Sequence, residues 1–415
     1  MFNIKNNMMI TNRQLFLSHL AQTTHFPLLV EIERAEGMYL YGQNGQKLMD
    51  LISGIGVSNI GHCHPKVIAA IKDQADRYLH VMVYGEMIQS PQVQLVERLL
   101  RTLPKKLDNC YLVNSGSEGV EGALKLAKRF TGRAELISCH NSYHGSTHGA
   151  LSVCGNETLK QGYRPLLADV KHISFGKIED LSEITTNTAA IILETVQGEA
   201  GVIEGSKKYF ATLRRRCDET GALLILDEVQ TGFGRTGKFW GFEHYDIVPD
   251  IIVCAKAMGG GMPIGGFIAP RHIMDVLKKK PILGHISTFG GHPLSAAAAL
   301  ANLKVLTGSG LIDQVESKAE LFKKYLLHPA IREVRNVGLL MAVEFESFEI
   351  VKEVIDRALE LGVLTDWFLF HNNCMRLAPP LIITDPEIQI ACDIILSAVE
   401  DVLYSEEIKK SEMML

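Results

Sequence analysis

Two charged residues stand where apolar runs of the sequence end, and both are of types that carry chemistry. Lys256 ends the run 251–255, and Asp227 ends the run 223–226. Burial lowers the pKa of a lysine ammonium, and such a lysine can attack a carbonyl carbon. A carboxylate that faces a pyridine nitrogen keeps it protonated and makes the ring an electron sink. Each also has a simpler interpretation, a lysine reaching solvent from a strand end and an aspartate capping a turn.

The segment 114–118, Asn-Ser-Gly-Ser-Glu, joins an apolar run to a helical pattern. The first-turn N–H groups of a helix have no partner within the helix, and the helix dipole favours an anion. Ser115, Gly116 and Ser117 could therefore bind a phosphate, although Ser115 alone could be an ordinary N-cap. A phosphate site, an acid and a lysine at successive strand ends are together what pyridoxal phosphate requires.

Further blocks follow in a fixed order along the chain: 35–37, 61–65, 114–118, 143–145, 197–201, 227–237, 255–261, 287–293 and 376–380. With these blocks the chain resembles the class III aminotransferases of the acetylornithine and ornithine type, from about residue 31 to residue 381. These are fold type I enzymes that use pyridoxal phosphate. The resemblance implies an α/β fold, with a mostly parallel seven-stranded sheet in a large domain and a small α+β domain formed by the N- and C-terminal segments.

The resemblance also implies a role for each matching residue. Lys256 would bond to the cofactor aldehyde and move the substrate proton, and Asp227 would pair with the pyridine nitrogen. Tyr143 would stack on the ring, and Gln230 would hydrogen-bond its phenolic oxygen. The other implied cofactor contacts are Ser115, Gly116 and Ser117 at the phosphate, His144, Glu194, Val229 and Glu121 in the pocket, and Thr288 reaching the phosphate of the neighbouring subunit. A site shared in this way implies an obligate homodimer.

On the substrate side, Arg376 resembles the arginine that binds a carboxylate bidentately. Glu199 resembles the acid that pairs with that arginine during one half-reaction and releases it in the other. Two positions depart from the family pattern: Ser146 stands where acetylornithine and ornithine enzymes carry an arginine for the far carboxylate, and Ile55 stands where the ornithine branch has a tyrosine. Arg164 is a possible substitute cation.

Alternation of apolar runs with helical patterns after residue 109 predicts a parallel sheet covered by helices. The runs are 110–113, 135–139, 189–194, 223–229, 251–255 and 266–269. The alternation of short apolar runs and helical patterns ends near residue 308, where long helical patterns begin, and this change predicts a domain boundary. The chain is expected to have three regions. They are an N-terminal arm with a small-domain segment (1–60), a large cofactor-binding domain (61–308) and a C-terminal small domain (309–415).

Composition excludes several classes of protein. Of 415 residues, 47% are hydrophobic and 21% are charged, which is typical of a globular chain. The net charge of −5 and the lack of a basic run give no indication of a surface that binds nucleic acid or an anionic membrane. Eight scattered cysteines and an N-terminus without a signal sequence predict a cytoplasmic protein. The uncharged stretch 281–303 is interpreted as a buried loop leading into a helix, not a membrane span.

No metal is expected, because His62-Cys63-His64 and the pair His144 and His148 each lack a third ligand nearby. The prediction is transamination of the ω-amino group of ornithine, N-acetylornithine or a related ω-amine to a 2-oxo acid, with 2-oxoglutarate the expected acceptor. A diamine or a β- or γ-amino acid donor stays open, as does an aminomutase, racemase or decarboxylase. A non-catalytic cofactor-binding protein is a further alternative. A dehydrogenase is disfavoured because 259–266 lacks the Gly-x-Gly-x-x-Gly order.

Overall fold

The computed structural model describes residues 11–413, and its largest unit is a seven-stranded sheet. Six strands run parallel, whereas Gly265–Ala269 runs antiparallel to both of its neighbours. In spatial order the strands are Asn109–Val113, Gly265–Ala269, Ile251–Cys254, Leu223–Asp227, Thr188–Glu194, Glu135–Cys139 and Val170–Ile173. The predicted mostly parallel seven-stranded sheet is confirmed.

The inner strands of this sheet are buried along their whole length. Every residue of Thr188–Glu194, Leu223–Asp227 and Ile251–Cys254 is buried. Strands covered on both faces need apolar residues on both faces, which explains why these segments read as continuous apolar runs instead of alternating ones.

Two strands differ from the sequence-based prediction. The run 223–229 was expected to be extended throughout, but the strand ends at Asp227. There the Asp227 carboxylate accepts a hydrogen bond from the N–H of Val229 at 3.0 Å, and this local bond turns the chain. The edge strand Val170–Ile173 was not predicted, because a lysine and a histidine occupy its two middle positions and break the apolar run.

Helices pack around the sheet and join its strands. The α-helical segments among the described residues are Asn12–His19, Ser53–Gly56, Pro65–Arg77, Ser90–Leu100, Gly116–Thr131, His148–Val153, Glu157–Lys160, Lys207–Thr220, Arg271–Met274, Pro293–Leu306, Val315–Tyr325, Phe348–Glu360 and Asp385–Met413. The helix Gly116–Thr131 lies close to the sheet because two glycines face it. A Cβ atom at Gly119 would lie 2.8 Å from Val253 Cγ1, and one at Gly122 would overlap the ring of Phe267.

Because of that close approach, we expect Gly122→Ala to lower the free energy of unfolding by about 1–3 kcal/mol, the usual cost of overpacking a core. The higher helix propensity of alanine offsets only part of this cost. Chemical denaturation measures the difference. Gly162→Ala is the matched control, because a Cβ atom there meets nothing within 4 Å. Equal losses in both variants would contradict the packing explanation.

The two ends of the chain share a smaller α+β unit. The antiparallel strands Ile32–Glu36, Tyr39–Gly42 and Lys47–Asp50 are extended by Val363–Leu364, which pairs in parallel with the last of them. A second antiparallel sheet has the order Glu333–Val337, Leu340–Glu344, Cys374–Leu377 and Asp366–Trp367. The strands Val196–Gln197 and Ile203–Glu204 form a separate hairpin. A small α+β domain formed by both terminal segments is thereby confirmed.

The segment 281–303 begins differently from the prediction. Its first part was expected to be a buried loop, but Ile282 is 75% exposed and Phe289 is 54% exposed in the single chain. The small-residue helix that follows, Pro293–Leu306, is present as expected. None of the helices in the described part of the chain has the length and apolar character that crossing a membrane requires.

Candidate active site

A cavity of about 430 Å³ opens at the carboxyl ends of the central strands. Ligands bind at this edge in open α/β sheets. Two strands end directly at the cavity wall, with Asp227 and Glu194. The structure brings the predicted cofactor-binding residues together there, with Thr288 and Glu121 the exceptions: the wall includes Ser115, Gly116, Ser117, Tyr143, His144, Glu194, Asp227, Val229, Gln230 and Lys256.

Lys256 lies on the cavity wall at a sharp turn of the backbone. Its φ angle is 47°, a left-handed conformation that costs a residue with a side chain about 1–3 kcal/mol and that clusters at functional sites. Burial lowers the pKa of the Lys256 ammonium, and the negative charges of Glu199, Asp227 and Glu194 offset only part of the effect. More of the amine is therefore in the neutral form that attacks a carbonyl carbon.

Asp227 is held by two neighbours and faces the same cavity. His144 Nδ1 lies 2.8 Å from Asp227 Oδ2, and the N–H of Val229 donates to Oδ1. His144 Nε2 is buried and has no hydrogen-bond partner among the described residues. Within the described chain the imidazole ring therefore has one hydrogen-bond partner, the Asp227 carboxylate, and this contact orients the ring.

The segment from Ser115 to Ser117 starts the helix Gly116–Thr131 at one end of the cavity. Ser115 is its N-cap, with its hydroxyl oxygen accepting the N–H of Glu118 at 3.2 Å. This cap satisfies only one of the four unpaired amides of the helix start, so it is compatible with a phosphate site there. A Cβ atom at Gly116 would lie 3.0 Å from Val229, so glycine lets the helix start pack closely against that side chain.

Glu194 holds the loop that contains Tyr143 through hydrogen bonds to the backbone. Its carboxylate accepts the N–H of Tyr143 and the N–H of Gly198, both at 2.9 Å. Burial raises the pKa of Glu194 to about 7, although His144 and the two amides act in the opposite direction. Glu194 is therefore a buried acid that shapes the cavity wall through the backbone.

Arg376 and Glu199 form a buried bidentate pair beside the cavity. Arg376 Nη1 and Nη2 donate to the two carboxylate oxygens at 2.9 and 2.8 Å, and the exposed fractions of the two residues are 2% and 4%. Burial opposes the charge of Glu199, but Arg376 outweighs it and keeps the pKa of the acid below its ordinary value. Gln230 Nε2 donates to the same carboxylate at 3.3 Å, which links the pair to the cavity wall.

Some predicted site residues are exposed and lie outside the cavity of this chain. Thr288 is exposed. Exposure in the single chain is what is expected of a residue that contacts a neighbouring subunit. Ile55 is 40% exposed, with a left-handed φ of 65°. Ser146 is exposed, and its hydroxyl lies 3.2 Å from the hydroxyl of Tyr143.

Two residues considered from the sequence have other partners in the described chain. Glu121 was expected to line the cofactor pocket, but its carboxylate accepts the N–H groups of Gly149 and Ala150 and caps a short helix instead. Arg164 was considered as a cation for a far carboxylate, but it pairs with Glu157 at 2.6 Å and does not line the cavity. Both side chains are engaged by local partners that sequence spacing did not reveal.

Sequence analysis missed Asp366, which lies against the substrate arginine. Its Oδ1 atom is 3.1 Å from Arg376 Nε. The two residues are directly opposite on paired antiparallel strands, a relation that a single sequence does not display. The only available signal was an acid ten residues before the arginine.

The two histidines of the first metal-like pattern have local structural roles. His62 Nε2 lies 2.7 Å from Asp50 Oδ2, and His64 Nδ1 accepts the N–H of Lys66 at a helix start. A different trio was not noticed in the sequence: the ligand atoms of Glu344, His371 and Cys374 lie within 4.8 Å of one another. The guanidinium of Arg335 bonds to both the glutamate and the cysteine, so a cation already belongs to this group.

Comparison with known proteins agrees with this geometry. The sequence profile of the family Aminotransferase class-III matches residues 20–399. The acetylornithine aminotransferase of Caldanaerobacter subterraneus subsp. tengcongensis is 37% identical over 91% of this chain and 96% of its own length. The [LysW]-aminoadipate semialdehyde/glutamate semialdehyde transaminase of Sulfolobus acidocaldarius is 35% identical over 88% of this chain and 93% of its own length.

Solved structures show the same fold. The ornithine aminotransferase of Toxoplasma gondii ME49 superimposes with a TM-score of 0.88 at 30% identity, covering 96% of this chain and 97% of that one. A transaminase of the marine bacterium Virgibacillus gives a TM-score of 0.89 at 28% identity, covering 95% and 99% of the two chains.

The cavity fits pyridoxal phosphate, the cofactor of this family. The amides at the helix start beside Ser115 and Gly116 suit a phosphate, Asp227 suits a pyridinium nitrogen and Lys256 suits an aldehyde. Gln230 Oε1, on the cavity wall, is buried and has no partner within the described chain, so the side-chain amide keeps hydrogen-bonding capacity toward a ligand.

Proposed function

Because this chain belongs to the class III aminotransferases, which depend on pyridoxal phosphate, we propose that it transfers the ω-amino group of an ornithine- or N-acetylornithine-type donor to 2-oxoglutarate. When bound, the cofactor supplies an aldehyde that takes up the amino group and a ring that withdraws electrons from the donor carbon. Lys256 moves the proton at that carbon, and Asp227 keeps the ring nitrogen protonated. Tyr143, on the cavity wall, stacks on the ring.

The buried pair of Arg376 and Glu199 carries this proposal. The guanidinium of Arg376 can bind one carboxylate bidentately, and in this structure that carboxylate is Glu199. A donor that presents only its ω-amine can enter while Glu199 stays bound. A 2-oxo acid needs Glu199 to withdraw, so that the guanidinium can bind the carboxylate of the oxo acid. One cavity can thereby accept two chemically different substrates in turn.

We expect Arg376→Ala to raise the KM for 2-oxoglutarate about ten- to a hundredfold, since hydrogen bonds to a charged group contribute about 1.5–3 kcal/mol. The KM for the amine donor is expected to change much less. Steady-state kinetics with each substrate varied in turn measures both. The double variant Arg376→Ala, Glu199→Gln removes the uncompensated acid as well, and Arg332→Ala, at an exposed arginine, is the control. An unchanged KM for the oxo acid in both Arg376 variants would refute the assignment.

A second candidate is a donor without a far carboxylate, such as a diamine. It is favoured by Ser146, at a place where the resemblance implies an arginine, and by the charges of the cavity. Among the described residues that line the cavity, Lys256 is the sole lysine or arginine. A panel of ornithine, N-acetylornithine, diamine and monoamine donors, scored by glutamate formed from 2-oxoglutarate, separates the two. The proposal expects ornithine-type donors to be preferred; activity confined to donors without a carboxylate would replace it with the second candidate.

We also propose that the active form is a homodimer in which Thr288 completes the phosphate site of the partner. The exposed apolar side chains around it, Ile282, Ile286 and Phe289, support this arrangement because a partner subunit would cover them. A cytoplasmic location is proposed as well. It is supported by the cysteines, since all eight lie in the described part of the chain as free thiols.

A further inference from the structure

Asp366 and Arg376 lie directly opposite each other on the paired strands Asp366–Trp367 and Cys374–Leu377. Directly opposite residues of an antiparallel pair project to the same face, with Cβ atoms about 4.5–5.5 Å apart. The hydroxyl of Thr365 donates to the backbone carbonyl of Arg376, which fixes the register of the two strands at this point. The proximity of the acid to the guanidinium is therefore built into the sheet.

Arg376 presents two different edges to two different acids. Glu199 takes both Nη atoms in aligned hydrogen bonds, whereas Asp366 Oδ1 lies 3.1 Å from Nε. Phe368 covers the face of the guanidinium, with its ring centre 4.6 Å from Cζ. Because the edges are distinct, both acids can act on the arginine at the same time.

The contact with Asp366 is close but not aligned. Arg376 Nε and Asp366 Oδ1 are both buried, and neither makes a hydrogen bond of acceptable geometry within the described chain. A buried donor and a buried acceptor at 3.1 Å, each without a bond, leave free energy to be gained from a small rotation of the guanidinium. The aligned bonds to Glu199 hold the guanidinium in its present orientation.

We propose that Asp366 is a positioning residue, which takes the Nε–H of Arg376 when Glu199 withdraws and so keeps the Nη fork aimed at the carboxylate of the oxo acid. The inference rests on the proposed function, in which Glu199 leaves the arginine for one half-reaction. A guanidinium freed from Glu199 would keep one longer hydrogen bond, from Nη2 to the backbone carbonyl of Trp367 at 3.3 Å. Without a second side-chain anchor it would still sample several orientations, and binding would have to restrict them. Asp366 limits this orientational freedom of Arg376 only in the half-reaction with the oxo acid, in which Glu199 has withdrawn.

The charge of Asp366 supplies an independent readout. Burial raises the pKa of Asp366 to about 6. The charged groups that face it are Arg376 and Lys256, which lower the pKa, and Glu199 and Asp50, which raise it, with Asp50 itself paired to His62. Above about pH 6 the carboxylate is ionised and anchors the arginine; below that pH it is protonated and the anchor weakens. The KM for the oxo acid is therefore expected to rise as the pH falls through about 6.

The test is Asp366→Asn in the holoenzyme, which keeps the size of the side chain and removes the charge. We expect the KM for 2-oxoglutarate at pH 8 to rise about tenfold, the effect of losing a hydrogen bond to a charged group, with kcat and the KM for the amine donor unchanged. We also expect the step near pH 6 to disappear in the variant. Comparison of the two pH profiles removes the contribution of Glu194, whose pKa is about 7. Asp356→Asn, at a half-exposed ion pair, is the matched control.

An unchanged or lower KM for the oxo acid in Asp366→Asn would overturn the proposal, as would equal losses for both substrates. If that variant fails to fold, the wild-type profile decides: the absence of a step near pH 6 in the oxo-acid KM is equally fatal. Failure of the proposed function itself looks different, because wild type would then form no glutamate from 2-oxoglutarate, or Arg376→Ala would leave that KM unchanged.

Discussion

Lys256→Ala is expected to lower the rate of transamination by about 10⁴-fold or more. In the proposed function Lys256 is the amine that moves the proton at the donor carbon, and positioned acid–base groups alone contribute about 10²- to 10⁴-fold. The substitution would also remove the proposed covalent link to the cofactor. The variant should still bind pyridoxal phosphate, since the helix start at Ser115 and the acid Asp227 are untouched. Glutamate formation in single turnovers measures the loss.

Lys208→Ala, at an exposed position of the helix Lys207–Thr220, is the control for loss of a lysine. Equal unfolding temperatures for wild type and the Lys256 variant would show that the loss is chemical. A Lys256→Ala variant that kept a tenth of the wild-type rate would require another base, and the account of the cavity would have to be rebuilt around it.

The second largest effect is expected for Asp227. Asp227→Ala should slow proton removal from the donor by about 10²- to 10⁴-fold, because removing one partner of a buried charge pair costs about 3–5 kcal/mol. The charge left without a partner is that of the protonated ring nitrogen. The kinetic isotope effect on a deuterated donor, with the single-turnover rate, identifies the step that has slowed.

Asp227→Asn separates charge from volume. Asparagine keeps an oxygen that can accept the N–H of Val229, but it cannot keep a ring nitrogen protonated. The account expects the Asn and Ala variants to lose similar amounts of activity. An Asn variant with nearly the wild-type rate would show that Asp227 matters only for the turn and for the orientation of His144. Asp246→Asn, at an exposed acid paired with Lys207, controls for the loss of a carboxylate.

The parts of the site that sequence analysis predicted share one physical origin. Asp227 ends a fully buried strand, Lys256 comes shortly after another, and the helix start at Ser115 follows the strand Asn109–Val113. All three strands are visible in the sequence as apolar runs. Parallel strands bring their carboxyl ends to one edge, so residues far apart in sequence could be placed in one cavity before the fold was known. The sequence blocks, in their order along the chain, then supplied the resemblance to a family that uses pyridoxal phosphate.

The parts that it missed depend on tertiary contacts. Asp366 becomes important through its register against Arg376, which no periodicity encodes. Glu121 was placed in the pocket, but the nearby amides of a short helix take its carboxylate. The loop containing Phe289 was expected to be buried because it lacks charged residues, but it is exposed in the single chain, on a surface that the proposed partner subunit would cover.

The most direct test of the central claim is the location of the cofactor on the chain. The holoenzyme is treated with borohydride, digested, and its peptides are sequenced by mass spectrometry. The account predicts a single reduced pyridoxyl adduct, on Lys256 within the peptide that follows the strand Ile251–Cys254. An adduct on any other lysine, or a holoenzyme that yields none, would contradict it.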